Sequence, residues 1–229
     1  MKYKWLLFDA DGTLFDFEKA ELFALKKTLK YFKINYSSTL HKRYNKINYE
    51  LFSRLEQGFI TSNELKTKRF EFLLSEFNIN LDSDTVSKTY LSNLSKGCML
   101  IPGAIDTIRT LHPEFKMFIV TNGFLEVQKP RFENSGISQY FIDILISDEI
   151  GVAKPAKEFF DVIYSKIGKP NKSEIMIIGD SLTSDMAGGI NFGIDTCWFN
   201  PHQMENKNNL NVSYEINELH ELIKIVKNI

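Results

Sequence analysis

An α/β fold, a doubly wound parallel sheet interrupted by an all-helical insertion, is what this sequence predicts, and three observations predict it. Short apolar runs recur through the second half of the chain, each followed by a segment of helical periodicity. One further apolar run, Trp5-Leu6-Leu7-Phe8, stands alone near the N-terminus. Between it and the others lie roughly 80 residues with helical spacing and no strand signal, within the size range of a small domain. The expected division is therefore 1–14 and 99–229 for the α/β core and 15–98 for the helical domain.

The first run is apolar on both faces, as a buried parallel strand is. Side chains two apart on a strand share a side, so Asp9 and Asp11 should project together from its C-terminal edge, where open α/β sheets bind ligands. Carboxylates that close repel unless a cation or a shared proton relieves them. A divalent metal is the obvious partner and phosphoryl chemistry the obvious use.

Helical spacing follows. Leu22, Leu25, Leu29 and Phe32 define one helix, and Tyr44, Ile47 and Leu51 a second over about 40–55. Thr61-Ser62-Asn63-Glu64 has the form of a capping box opening a third helix through Phe77. Asp82 or Ser83 caps a fourth, carrying Val86, Tyr90 and Leu94. Pro102-Gly103 marks the return to alternation. Strands are expected at 115–120, 143–147, 174–178 and 196–199, with helices at 124–134, after Pro155 to Ile167, at 185–192 and at 217–228, the last capped by Asn217. The stretch 203–211, rich in Asn and Lys, reads as a polar surface loop. Alternation of this kind implies right-handed crossovers.

Bulk properties exclude several function classes. The 229 residues are 43% hydrophobic, enough for a substantial core, and 28 basic against 29 acidic residues give a net charge of −1. That balance offers nothing to nucleic acid or a membrane surface. No run approaches a membrane span, and the first strand begins too early to leave room for a signal peptide, so a cytoplasmic protein is expected. Cys98 and Cys197 lie in no metal or redox spacing and read as reduced, mostly buried thiols.

The chemistry-bearing residues all follow apolar runs. Asp9 and Asp11 follow the first, Thr121-Asn122-Gly123 the second, Lys154 the third, and Gly179-Asp180 with Ser181 and Asp185 the fourth. Singly each has a bland reading: Asp11-Gly12 and Asn122-Gly123 are turn dipeptides, Lys154 a loop lysine, Ser181 a helix cap. Together they place two acid pairs, a hydroxyl and an amine at one edge of one sheet.

This ordered set resembles the haloacid dehalogenase (HAD) superfamily. Its motifs are a hydrophobic strand with Asp-x-Asp-x-Thr, matched by Asp9-Ala10-Asp11-Gly12-Thr13; a strand ending in Ser or Thr, matched by Thr121; a Lys, often before Pro, matched by Lys154-Pro155; and Gly-Asp with a further Asp, matched by Gly179-Asp180 and Asp185. The resemblance implies a Rossmann-like core, a mobile helical cap, and Mg²⁺ as cofactor with Mn²⁺ as a substitute. It implies Asp9 as nucleophile forming an aspartyl phosphate, its pKa kept low by Mg²⁺ and Lys154. Asp11 is then the general acid and base, which argues for turnover by water. Thr121 and the N–H groups of Asn122 and Gly123 hold phosphate, with Lys154 offsetting its charge. Asp9, the Asp11 backbone carbonyl and Asp180 hold the metal, while Asp185, and Ser181 if it is not merely a cap, orient Lys154 or a water beside the metal.

The helical insertion carries the choice of leaving group. Phe15, Phe17, Tyr44, Tyr49, Phe52 and Phe59 are aromatics there or at its hinge on which a planar base could stack, although aromatics at helical spacing also simply pack. The Gly58-Phe59 junction is the better candidate for dipping into an active site. With residues 8–15, 119–124, 149–155 and 188–200, the chain is similar to the noncanonical pyrimidine 5′-nucleotidase branch, whose members hydrolyse dUMP, dTMP and UMP. Position 12 is Gly here, where that branch sometimes has Glu. A small phosphomonoester, most simply a nucleotide, is the partner implied. Phosphoglycolate or a sugar phosphate, a phosphoglucomutase-like isomerisation, and a non-catalytic phosphate-binding module are the alternatives.

Overall fold

A computed structural model describes residues 2–228. They form two compact units: an α/β unit containing the residues up to Phe17, Met99–Leu125 and those from Phe132 onward, and a helical unit of Glu18–Cys98 with Glu126–Arg131.

In chain order, β1 is Trp5–Phe8. The helical unit follows with α1 (Phe17–Tyr31), α2 (Ser38–Glu56), α3 (Ser62–Glu76) and α4 (Ser83–Leu94). Then come α5 (Ala104–Leu111), β2 (Lys116–Thr121), α6 (Leu125–Asn134), β3 (Asp143–Ile146), the single turn α7 (Ser147–Ile150) and α8 (Lys157–Lys166). The chain closes with β4 (Ile175–Gly179), a π-helical turn Leu182–Met186 running into α9 (Ala187–Phe192), β5 (Asp195–Phe199), β6 (Tyr214–Ile216) and α10 (Glu221–Lys227).

The sheet order is β3-β2-β1-β4-β5-β6, every pair parallel. β1 is central, so the order reverses direction around it, which opens a crevice at its C-terminal end. Strand side chains alternate, and each face buries its own core. Leu6, Phe8, Ile119 and Ile178 pack on one face with Ile108 of α5 and Leu222 of α10. Leu7, Phe118, Val120 and Ile177 pack on the other with Phe159 and Phe160 of α8.

The helical unit is locally well specified. Thr61 and Glu64 make the reciprocal capping box, Ser37 accepts from Leu40 N–H, and Asp82 rather than Ser83 caps α4. Tyr44, Phe70 and Tyr90 meet inside it with ring centroids 5.2–5.7 Å apart. The buried Arg69 guanidinium lies 4.7 Å from the Tyr90 ring and donates to Asn48 Oδ1 at 3.3 Å.

Several expectations need correction. β6 lies where no strand was read; Ile216 supplies its buried side chain, in the core beside Leu219 and Leu222. Asn217 does not cap the last helix. α10 starts at Glu221, whose carboxylate reaches back to the N–H groups of Asn217 (3.2 Å) and Glu218 (2.8 Å). Phe15 is fully buried in the α/β core, bridged to Asp11 and Leu100, so the chain enters the helical unit later than residue 15. Cys197 is buried, but Cys98 is half-exposed.

Candidate active site

Because the strands are parallel, the loops leaving β1, β2, β3 and β4 emerge on one edge, and every core residue singled out from the sequence lies at these strand ends or in the segments that follow them. β1 ends at Phe8, and the chain turns at once: the N–H groups of Leu14 and Phe15 both donate to Ala10 O, and that of Gly12 to Phe15 O. Asp9, whose N–H still donates to Ile178 O at 2.8 Å, is buried, and Asp11 is half-buried on the turn that follows. The acids that crowd one another are Asp9, Asp180 and Asp185, each offering an oxygen within 4.8 Å of the others.

Lys154 sits among them, fully buried. Its Nζ donates to Asp9 Oδ1 (2.6 Å), Asp185 Oδ1 (2.6 Å) and Val120 O (2.7 Å), which uses all its donors. Asp185 is held by its other oxygen too, which accepts from Ser181 N–H at 3.2 Å. The close tuck of Asp185 explains Gly179, where a Cβ would overlap the Asp185 carboxylate. Gly12 is constrained twice, by a φ of +85° and by the Asp180 carboxylate, 2.5 Å from where its Cβ would be.

Charge is unbalanced: three carboxylates face one ammonium. Burial raises the Asp9 pKa; Lys154 pulls it down, but Asp185 and Asp180 push it up, and it ends well above the carboxylate range. The low value expected for Asp9 thus requires a cation beyond Lys154. Asp180 opens to solvent on one side, yet the protein behind it and the nearby Asp185 raise it to about 7. Burial opposes the Lys154 charge, but Asp185 and Asp9 more than compensate and raise its pKa. Such a site fits a divalent cation, whose charge would hold these acids ionised.

Thr121, the last residue of β2, is buried, and its Oγ1 accepts from Gly123 N–H at 3.1 Å. The Asn122 side chain does something the sequence did not suggest: Oδ1 accepts from Lys154 N–H and Nδ2 donates to Lys154 O, both at 2.8 Å. Ser181 Oγ caps the π-helical turn by accepting from Ser184 N–H, leaving its backbone to orient Asp185. Two supporting contacts were also missed. Thr13 Oγ1 donates to Asp180 Oδ1 at 3.3 Å, and Trp198 Nε1 to Asp180 O at 2.9 Å. Thr13 was legible as the end of the Asp-x-Asp-x-Thr motif; Trp198, far along the chain, carried no signal.

Of the aromatics, Phe15 and Tyr44 are fully buried packing residues, which corrects their reading as substrate contacts. Phe17 and Phe52 are half-buried. Phe59 is 69% exposed in the turn between α2 and α3, where Gly58 takes a φ of +74°.

A family profile described as haloacid dehalogenase-like hydrolase matches residues 3–193. The Bacillus subtilis protein YfnB, described as a HAD-hydrolase, is 37% identical, covering 98% of this chain and 96% of its own. Its crystal structure, described as bound to magnesium and revealing interdomain movement, superposes with a TM-score of 0.93 over 100% of both chains. The pyrimidine 5′-nucleotidase YjjG of Escherichia coli is 32% identical over 99% of each chain. The pyrimidine 5′-nucleotidase PynA of Streptococcus pneumoniae is 35% identical over 97% of this chain and 94% of its own.

Proposed function

The chain belongs to the haloacid dehalogenase-like hydrolase family, and on that premise we propose that it is a magnesium-dependent phosphomonoester hydrolase acting on pyrimidine nucleoside 5′-monophosphates. The observation that carries the hydrolase chemistry is the crowding of Asp9, Asp180 and Asp185 around the single Lys154 ammonium at the sheet's crevice. The substrate class rests on the similarity to YjjG and PynA.

Asp9, Asp180 and the Asp11 carbonyl would hold Mg²⁺, with the buried Asp185 committed to Lys154 and Ser181. Bound there, the ion supplies charge compensation that lets an anionic phosphate approach an ionised carboxylate. Lys154 fixes Asp9 Oδ1 and so sets the orientation of the nucleophile. Asp9 attacks phosphorus, the bond to the ester oxygen breaks, and protonated Asp11 gives its proton to that oxygen. Asp11, now a carboxylate, takes a proton from the water that opens the acyl phosphate, which restores both acids and releases inorganic phosphate. Thr121 and the N–H groups of Asn122 and Gly123 hold the phosphate oxygens, and Gly123 N–H shifts from Thr121 Oγ1 to do so. Phe59, aromatic and exposed beside Gly58, would offer the base a surface to stack on.

A phosphate-release screen with Mg²⁺ over nucleoside monophosphates, phosphoglycolate and sugar phosphates tests the reading. The highest kcat/KM is expected on a pyrimidine monophosphate. A sugar phosphate or phosphoglycolate at the top refutes the substrate assignment. Isomerised product without phosphate release refutes hydrolysis.

A further inference from the structure

We infer that Asn122 is a positioning residue whose side chain, clipped to the backbone of Lys154, sets where the Lys154 ammonium meets Asp9. The inference rests on the phosphomonoesterase reading above, and assigns to the Asn122 side chain a task separate from phosphate binding by its backbone.

Lys154 lies eight residues beyond Ile146, the end of β3, with α7 and Gly151 between. The β3 ladder therefore cannot place it. The Asn122 carboxamide does, because it presents one acceptor and one donor to the N–H and C=O of the same residue, each at 2.8 Å. The backbone partners fix which end of the amide is oxygen, since N–H can only donate and C=O only accept. Two such bonds restrain both position and tilt. At the far end of the side chain, Nζ donates to Val120 O, two residues before Asn122. Lys154 is thus gripped at both ends by the end of β2. The remaining Nζ donors point to Asp9 and Asp185 as a consequence. Few side chains do this: Asp offers only acceptors, Ser a single short hydroxyl, and Gln is a methylene too long.

Asn122→Ala, Asn122→Asp and Asn122→Ser variants of the full chain test this, assayed with Mg²⁺ and a small aryl phosphate, with inorganic phosphate as inhibitor. Asn122→Ala and Asn122→Asp should lower kcat about 10²-fold, the loss typical of a catalytic group misplaced by ~1 Å. The inhibition constant of inorganic phosphate should change far less than kcat, because the backbone N–H is untouched. Asn122→Ser, which can keep one hydrogen bond, should fall between. Independently of activity, labelling of Lys154 by an amine-reactive reagent, read by mass spectrometry, should rise in the Ala and Asp variants. Unchanged kcat overturns the inference. So does a loss confined to KM and phosphate inhibition, which would make Asn122 a phosphate ligand only. A kcat loss with wild-type Lys154 labelling also overturns it. If wild type releases phosphate from no ester, the proposed function fails, while the labelling comparison still reads the clip.

Discussion

Lys154→Met is the sharpest perturbation of this site, because it removes one partner and leaves the other charges in place. Wild type holds the ammonium at 2.6 Å from both Asp9 and Asp185, all three side chains at 10% exposure or less. Replacing an entire buried ion cluster by apolar groups is often near neutral, since desolvation costs about what the attraction returns. Removing only the cation is the expensive case. Asp9 and Asp185 lose their counter-charge, and the cluster with Asp180 must either stay ionised and repel or take up protons, each at a cost. The expected loss is about 3–5 kcal/mol. For a chain of this size that lowers the melting temperature by roughly 6–20 °C, at about 2–4 °C per kcal/mol. Urea unfolding in metal-free buffer at pH 7.5 reads it, with the slope against denaturant checked for change. Adding Asp9→Asn and Asp185→Asn to Lys154→Met should recover most of the loss, because the shapes remain and the charges are gone. A single variant that unfolds at the wild-type midpoint, or a triple variant no more stable than the single one, would refute the charge argument.

The other predictions concern turnover, metal and the exposed loop. Asp9→Asn should abolish both phosphate release and trapping of a phosphoenzyme by acid quench; substantial turnover removes Asp9 as the nucleophile. Mg²⁺ should raise the melting temperature more at pH 8 than at pH 6. The Asp180 carboxyl titrates at about 7 when folded against 3.8 as its ordinary value, so the folded metal-free protein binds the extra proton and its stability falls as pH rises through that window. Magnesium needs the ionised form, and its contribution therefore grows over the same range; a larger magnesium shift at pH 6 contradicts this. Phe59→Ala should lower kcat/KM for a pyrimidine monophosphate more than for a small aryl phosphate, and equal losses would make the residue structural.

The sheet and its reactive edge were legible because each chemistry-bearing residue follows an apolar run, and parallel topology carries all such positions to one side. What was missed depends on partners far away in the chain. Phe15 sits next to helical periodicity, yet it pairs with Leu100, so its burial could not be read locally. Periodicity marked Tyr44 as lying on a buried face without telling a bundle interior from a ligand pocket, which only the surrounding Phe70 and Tyr90 decide. β6 is three residues, Tyr-Glu-Ile, at the sheet's end, too short for alternation to register. β1 spans Trp5–Phe8, its ladder reaches Asp9 through the bond to Ile178 O, and the turn that Gly12 makes possible begins only at Ala10.

The two acids differ in their surroundings. Asp9 is buried among Lys154, Asp180 and Asp185, while Asp11 stands half-buried on the turn, outside the cluster within 4.8 Å. A nucleophile must be ionised beside an incoming anion, which demands the compensation that Lys154 begins and a divalent cation completes. A general acid must instead reach the leaving oxygen, which a side chain on the turn outside the carboxylate cluster is free to do. The proposed mechanism accordingly gives attack to Asp9 and proton transfer to Asp11 rather than the reverse. Asp11→Asn tests the assignment: an aryl phosphate with a good leaving group needs no proton from it, so phosphoenzyme should still form. Its hydrolysis should slow, since the water then lacks its base. A variant that forms no phosphoenzyme even from such an ester would place Asp11, not Asp9, at the attacking position.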